Sequence, residues 1–133
     1  MTLTFKTVCR QFPREEDAIK FLEKELWNGI PVCPYCKASF YSVIEGGRRY
    51  RCNKCNSNFS ITVRTLFHRS KVDLRKWFYC IAVIGLTEAS LRTIAGELNV
   101  TKDTVSKMLK KIKTGYLNNQ QLIVAIQKKM SDE

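Results

Sequence analysis

Apolar and polar positions alternate with two different periods along the chain. After Pro13, the acids of Arg14-Glu15-Glu16-Asp17 precede Ala18, Ile19, Phe21, Leu22, Leu26 and Trp27, which share one helical face. Acids in a first turn suit the positive end of the helix dipole, and Asn28-Gly29-Ile30-Pro31 ends the segment. The period then drops to two. Phe40-Tyr41-Ser42-Val43-Ile44 and Arg48-Arg49-Tyr50-Arg51 flank Glu45-Gly46-Gly47, which predicts a β-hairpin whose glycines supply the φ > 0 turn. Asn56 to Val63 alternates as a third strand would. From Asp73, a good N-cap, helical spacing returns with Leu74, Trp77, Phe78, Ile81, Ala82 and Leu86, and Val83 and Ile84 widen the stripe into that of a buried scaffold helix. Leu122, Ile123, Ile126 and Met130 predict a short amphipathic helix after Asn118-Asn119-Gln120-Gln121, either packed on the domain or offered to a partner. The mixed stretch from Thr2 to Phe12 is expected as a strand or an extended lead.

Between these elements, Ser90 to Leu109 has the residue sizes of a helix-turn-helix. Ala95 is small where two helices would cross, and Asn99 stands where the turn needs a residue tolerant of the left-handed region. Ile94, Leu98, Val100, Val105 and Met108 would fill the shared core. Thr101 would cap the second helix, with Lys102, Asp103, Thr104, Ser106 and Lys107 on its exposed N-terminal side, the part of a recognition helix that enters the major groove. Lys110, Lys111 and Lys113 extend the charge toward the backbone, and Gly115 weakens or ends the helix. The plainer alternative is a helical hairpin with a solvated lysine face.

Cysteine spacing adds a metal. Cys33-Pro34-Tyr35-Cys36 and Cys52-Asn53-Lys54-Cys55 are two C-x-x-C pairs with fifteen residues between them, as in a tetrahedral four-thiolate zinc site. A hairpin with one such knuckle at each end is a zinc ribbon. Disulfides would need export, and Met1-Thr2-Leu3-Thr4-Phe5-Lys6 lacks the apolar core of a secretory signal. A redox C-x-x-C needs one pair at the start of a helix rather than two around a hairpin. With four thiolates the Zn2+ has no open position, so it is structural. His68, the sole histidine, is not needed as a ligand, and Cys9 and Cys80 fit no pair and read as free thiols.

The 133 residues carry a formal net charge of +11, from 23 basic and 12 acidic side chains. A zinc tetrathiolate subtracts about two charges and leaves the chain strongly basic, which favours polyanions. The longest near-continuous apolar run, Trp77 to Leu86, is about half of a membrane span. Between Trp27 and Lys71 the single acid, Glu45, faces Lys37, Arg48, Arg49, Arg51, Lys54, Arg64, Arg69 and Lys71. Arg48, Arg49 and Arg51 are candidate DNA-backbone contacts or solvated surface, and the interleaved Tyr35, Phe40, Tyr41, Tyr50 and Phe59 are expected mainly to cover the ribbon core.

Glu16 to Trp27, Gly29-Ile30-Pro31-Val32-Cys33-Pro34-Tyr35-Cys36, Tyr50-Arg51-Cys52, Cys55, Phe59-Ser60, Thr65-Leu66-Phe67 and Leu74-Arg75-Lys76-Trp77 together resemble the zinc-ribbon N-terminal, DNA-binding region of insertion-sequence transposases. The resemblance runs from about Phe12 to Gly115 and implies recognition of the ends of a mobile element. Arg64 departs from the glycine expected before Thr-Leu-Phe. Such transposases continue into an RNase H-like domain with a carboxylate triad, whereas after Gly115 this chain offers only the adjacent Asp132 and Glu133.

The expected protein is therefore small, α+β and mostly helical: an N-terminal helical lead packing on the ribbon (1–30), a zinc ribbon of hairpin plus third strand (31–70), a helix-turn-helix domain (71–117) and a short C-terminal helix (118–133). The expected function is non-enzymatic, sequence-specific binding of double-stranded DNA, in the cytoplasm at the nucleoid and away from membranes. A homodimer, or a separate catalytic or regulatory protein, stays open as a partner. Two alternatives stand: a viral, plasmid or mobile-element transcriptional regulator built from the same modules, and a zinc-ribbon adaptor that docks on another protein.

Overall fold

A computed structural model describes residues 4–44, 46, 49–63, 65–67, 70–86, 90–115 and 119–131. Among them the order of elements is α1 (Phe5–Gln11), α2 (Glu15–Trp27), β1 (Tyr41–Ile44), β2 (Arg49–Cys52), β3 (Asn58–Phe59), α3 (Leu74–Leu86), α4 (Leu91–Leu98), α5 (Lys102–Gly115) and α6 (Gln120–Ser131). The result is a mostly helical α+β protein. Glu45, Gly47, Arg48, Arg64, His68, Arg69, Asp132 and Glu133, all named above, lie outside the described residues.

Helix α3 is the axis of the helical part. Leu74 and every residue from Trp77 to Val83 are buried, as befits a helix that is apolar all round. Asp73 caps it: its carboxylate accepts the Arg75 N–H at 2.8 Å and the Arg75 guanidinium at 3.0 and 3.1 Å. Burial opposes the charge on Asp73, but Arg75 holds its carboxyl below the usual range. Arg75 also donates to the Phe12 and Pro13 carbonyls, and Glu15 accepts the Leu74 N–H at 3.0 Å. The link between α1 and α2 is thereby tied to the start of α3.

The first correction is at the N-terminus. The stretch expected as a strand or extended lead is helix α1, capped by Thr4, whose hydroxyl accepts the Thr7 N–H. Its seven residues are too short to be stable alone. Tertiary contacts hold it: Val8 is fully buried, Phe5 meets Tyr79 edge-on, and the Phe5 N–H donates to Glu97 of α4 at 2.7 Å. Helix α6 also packs on the domain, burying Leu122, Ile123, Ile126 and Met130, with Gln127 donating to the Ile81 carbonyl of α3 and Gln121 to the Glu25 carbonyl of α2.

The sheet is antiparallel in the order β1-β2-β3. Tyr41 pairs with Cys52 and Val43 with Tyr50 across the hairpin, and Tyr50 pairs with Phe59 across the second ladder. Gly46 adopts φ +66° in the connection, the conformation a glycine permits there. The third strand is shorter than the alternation suggests. It ends at Phe59, because Ile61 turns away into the helical core and the Val63 N–H bonds back to the Ser60 carbonyl.

Two apolar clusters result: a large one around α3, and a small one of Cys33, Tyr50, Cys52 and Phe59. Trp27 touches both. Its ring stands edge-on to Tyr50 at 5.9 Å and to Phe59 at 5.8 Å. One turn earlier, Glu23 accepts the Tyr50 hydroxyl at 2.6 Å. Burial first, and then this carboxylate, raises the Tyr50 hydroxyl well above the usual phenol range.

Candidate metal centre and nucleic-acid interface

The two knuckles are built alike. Lys37 and Asn56, each just past a C-x-x-C pair, take positive φ (66° and 63°), and their N–H groups return to the Cys33 and Cys52 carbonyls at 2.9 and 2.8 Å. These turns aim the four sulfurs at one point. All four Sγ atoms lie within 4.8 Å of one another, with Cys33 to Cys55 at 3.7 Å and Cys36 to Cys52 at 3.4 Å. A zinc ion with Zn–S bonds of about 2.3 Å needs sulfurs about 3.8 Å apart, so the quartet fits one tetrahedral ion. The Cys55 N–H points at the Cys52 sulfur at 3.5 Å, a backbone donor suited to a thiolate.

The thiols are not equivalent before metal arrives. Ser57, through its hydroxyl and then its N–H, draws Cys55 down to about 6. The Ala38 N–H draws Cys36 the same way, but burial and the neighbouring thiols push it up to about 11. Cys80, on buried α3, is raised to about 12 by burial alone and belongs to the core.

Around the quartet, the aromatics divide. Tyr50 and Phe59 are buried as expected, whereas Tyr35, Phe40 and Tyr41 are exposed, contrary to the expectation that ribbon aromatics mainly serve the core. Arg49 and Arg51 are exposed on β2, opposite Ile44 and Ser42, and Arg51 donates to Asn56 at 3.3 Å. Arg48 lies outside the described residues.

Helices α4 and α5 form a pair across the turn Asn99–Thr101. Asn99 is left-handed at φ 56°, its N–H and that of Val100 returning to the Ala95 carbonyl. Ala95, Ile94 and Leu98 of α4 and Val105, Met108 and Ile112 of α5 are buried. The Thr101 hydroxyl accepts the Thr104 N–H at 3.1 Å and caps α5. Thr101, Lys102, Asp103, Ser106, Lys107, Lys110 and Lys111 are exposed, and Thr104 is half-buried. Asp103 and Lys107 pair at 3.2 Å with both side chains mostly in solvent. Such a pair contributes at most about 1 kcal/mol and opens readily to another anion. Because only Gly and Asn adopt the left-handed turn at little cost, Asn99→Ala should lower stability by roughly 1 kcal/mol and Asn99→Gly should leave it nearly unchanged, as read by urea midpoints.

What sequence reasoning missed is the polar stitching between elements, namely Glu23 to Tyr50, Glu15 to Leu74 and Phe5 to Glu97. Contacts so distant in sequence leave no periodic signal.

Residues 13–58 match the family described as a transposase zinc-ribbon domain. Among curated proteins, the chain is 31% identical over 107 residues to an uncharacterized protein in transposable element ISH50 of Halobacterium salinarum. That alignment covers 77% of this chain and 36% of the relative, so the chain spans little more than a third of the relative's length. No solved structure matches the chain. Beyond the ribbon, the described chain is the small helical region around α3, and no described helix is long and apolar enough to cross a membrane. The cysteine quartet on its two knuckles, the hairpin between them and the matched residues agree: residues 13–58 are similar to the transposase zinc-ribbon domain, and Cys33, Cys36, Cys52 and Cys55 form a four-thiolate set that fits one structural zinc.

Proposed function

We propose that the protein binds double-stranded DNA sequence-specifically at the ends of a mobile element, with α4 and α5 acting as a helix-turn-helix. The supporting observation is the exposed, basic N-terminal half of α5, capped by Thr101 and joined to α4 by the left-handed turn at Asn99, with Val105 and Met108 buried. In this reading Lys102, Ser106 and Lys107 meet base edges or phosphates, and Thr104 meets the backbone. Asp103 either accepts from a cytosine amino group or keeps Lys107 aligned, and Lys110 and Lys111 follow the phosphates. Arg49 and Arg51, with Arg48 beside them in sequence, supply backbone contacts from the ribbon. The match to a transposase zinc ribbon and the similarity to a transposable-element protein support element ends as the target. One recognition helix covers a short site, so a homodimer, or both modules together, would read the full end.

The reading includes binding without strand transfer, at the nucleoid. The zinc-loaded protein, selected against a random duplex pool over a salt series, should enrich a motif that recurs at both element ends. Binding should weaken steeply with salt, and Lys102→Ala/Lys107→Ala should reduce affinity for the motif about tenfold or more. A motif found only at a promoter would point instead to a transcriptional regulator. Salt-insensitive binding to a protein, with no DNA affinity, would point to an adaptor. Cleavage of element ends by the purified protein with magnesium or manganese would overturn the non-enzymatic part.

A further inference from the structure

The ribbon carries apolar surface that its own core does not use. Phe40, Val43, Tyr35 and Tyr41 expose 66, 58, 48 and 37% of their area. The pairing explains why Tyr41 and Val43 are left out. They lie opposite Cys52 and Tyr50 and so share the inner face, but β1 is the edge strand farther from Trp27, whose ring meets Tyr50 on β2 and Phe59 on β3. Tyr41 meets Tyr50 edge-on at 5.7 Å, with much of its side chain left in water. Phe40 is set beside the second knuckle, where the Asn53 N–H donates to its carbonyl at 2.8 Å. Exposed apolar clusters of this kind on a small domain mark contact surfaces.

Charge selects the occupant. From Asn28 to Val72 the chain holds one acid, Glu45. Lys37 and Lys54 on the knuckles are exposed, and so is Arg51 on β2, which pairs with Ser42 and so lies on the face of the sheet opposite Tyr41 and Val43. A second copy would bring two basic ribbons together, and their repulsion disfavours it. A polyanion suits the surroundings, and the rings add a requirement: stacked bases inside a duplex cannot lie on them, whereas unpaired bases can. We propose that the β1 edge of the ribbon binds single-stranded nucleic acid, with the exposed Phe40 and Tyr41 each offering a ring to a base and Lys37 and Lys54 on the knuckles following the phosphates. This site uses the ribbon alone and does not depend on α5 reading duplex DNA.

The test uses the zinc-loaded full chain with a labelled oligothymidylate, a mixed-sequence single strand and the corresponding duplex. Phe40→Leu keeps apolar bulk and removes the ring. It should weaken single-strand binding about fivefold or more while zinc content and duplex affinity hold. Phe40→Trp should restore binding, and its added fluorescence should be quenched as the oligonucleotide binds. Lys102→Ala/Lys107→Ala should retain single-strand binding, which separates this site from the duplex-reading helix. Absence of single-strand binding, or Phe40→Leu behaving as wild type, would overturn the proposal. So would self-association in sedimentation that Phe40→Ala abolishes, since a second copy would then own the face.

Discussion

Removing zinc with a strong chelator should unfold the ribbon and leave the helical bundle standing. Two of the four buried members of the ribbon cluster, Cys33 and Cys52, are themselves ligands. Without the ion, Tyr50 and Phe59, with Trp27, Ala38 and Val63 packed against them, remain to hold three short strands, far less apolar surface than an independent sheet needs. Structural zinc supplies about 10–16 kcal/mol in comparable small domains, and that energy is folding energy. The large cluster contains none of the four ligands. Far-UV circular dichroism should therefore keep most of its helical signal, while Trp27 emission shifts to the red as its contacts with Tyr50 and Phe59 are lost. A Cys36→Ser variant should reproduce this state at any zinc concentration. Acidification should do so as well, with a definite sign. Zinc holds the sulfurs as thiolates below their ordinary range, so the stability it confers is present at neutral pH and lost as the pH falls and protons displace the metal. Cys36, pushed up to about 11 by burial and the neighbouring thiols, gives up its proton to zinc less readily than Cys55, drawn down to about 6 by Ser57. Loss of bundle helicity in step with zinc would show that the two clusters fold as one unit.

Trp77→Ala should produce the largest loss of any single core truncation in the bundle, about 3–5 kcal/mol. The side chain is 1% exposed and is the largest of those fully buried. It stacks edge-on against Phe67 at 5.4 Å and donates its indole N–H to the Ser70 hydroxyl at 2.9 Å. Truncation would open a cavity beside Phe67 and remove one of the two donors to the Ser70 hydroxyl, which still accepts the Val72 N–H at 3.1 Å. Since a domain of this size has about 5–15 kcal/mol in total, the variant should be marginal at 37 °C. Its urea midpoint should fall sharply while zinc stoichiometry is unchanged, because the ribbon cluster does not include Trp77. Trp77→Phe, which retains a ring and loses the donor, should recover much of the difference.

Local chemistry made most elements legible. The C-x-x-C pairs fix which sulfurs meet, because a knuckle is a short-range turn and a tetrahedral ion accepts only a narrow set of separations. Helices α2, α3 and α5 follow from apolar spacing and caps, and the left-handed residue at Asn99 follows from the short list of side chains that tolerate it. Chain order alone did not reveal α1. Its seven residues carry too little periodicity to signal a helix, and it is stable only because α3 and Glu97 of α4 receive it. The fate of α6 was equally undetermined in sequence, since an amphipathic face fits a partner as well as it fits its own domain. The groove beside α3 settles it by burying Leu122, Ile123 and Ile126.

By itself, then, the sequence determined the metal quartet, the positions of most helices and the basic character of the faces, because these depend on residue type and short spacing. Tertiary structure decided which aromatics are core and which are surface. Tyr41 and Tyr50 are both aromatic residues on facing strands of one hairpin. Their fates differ because Trp27 reaches β2 and β3 and stops short of β1, and the reach of one side chain from a distant helix has no counterpart in local pattern.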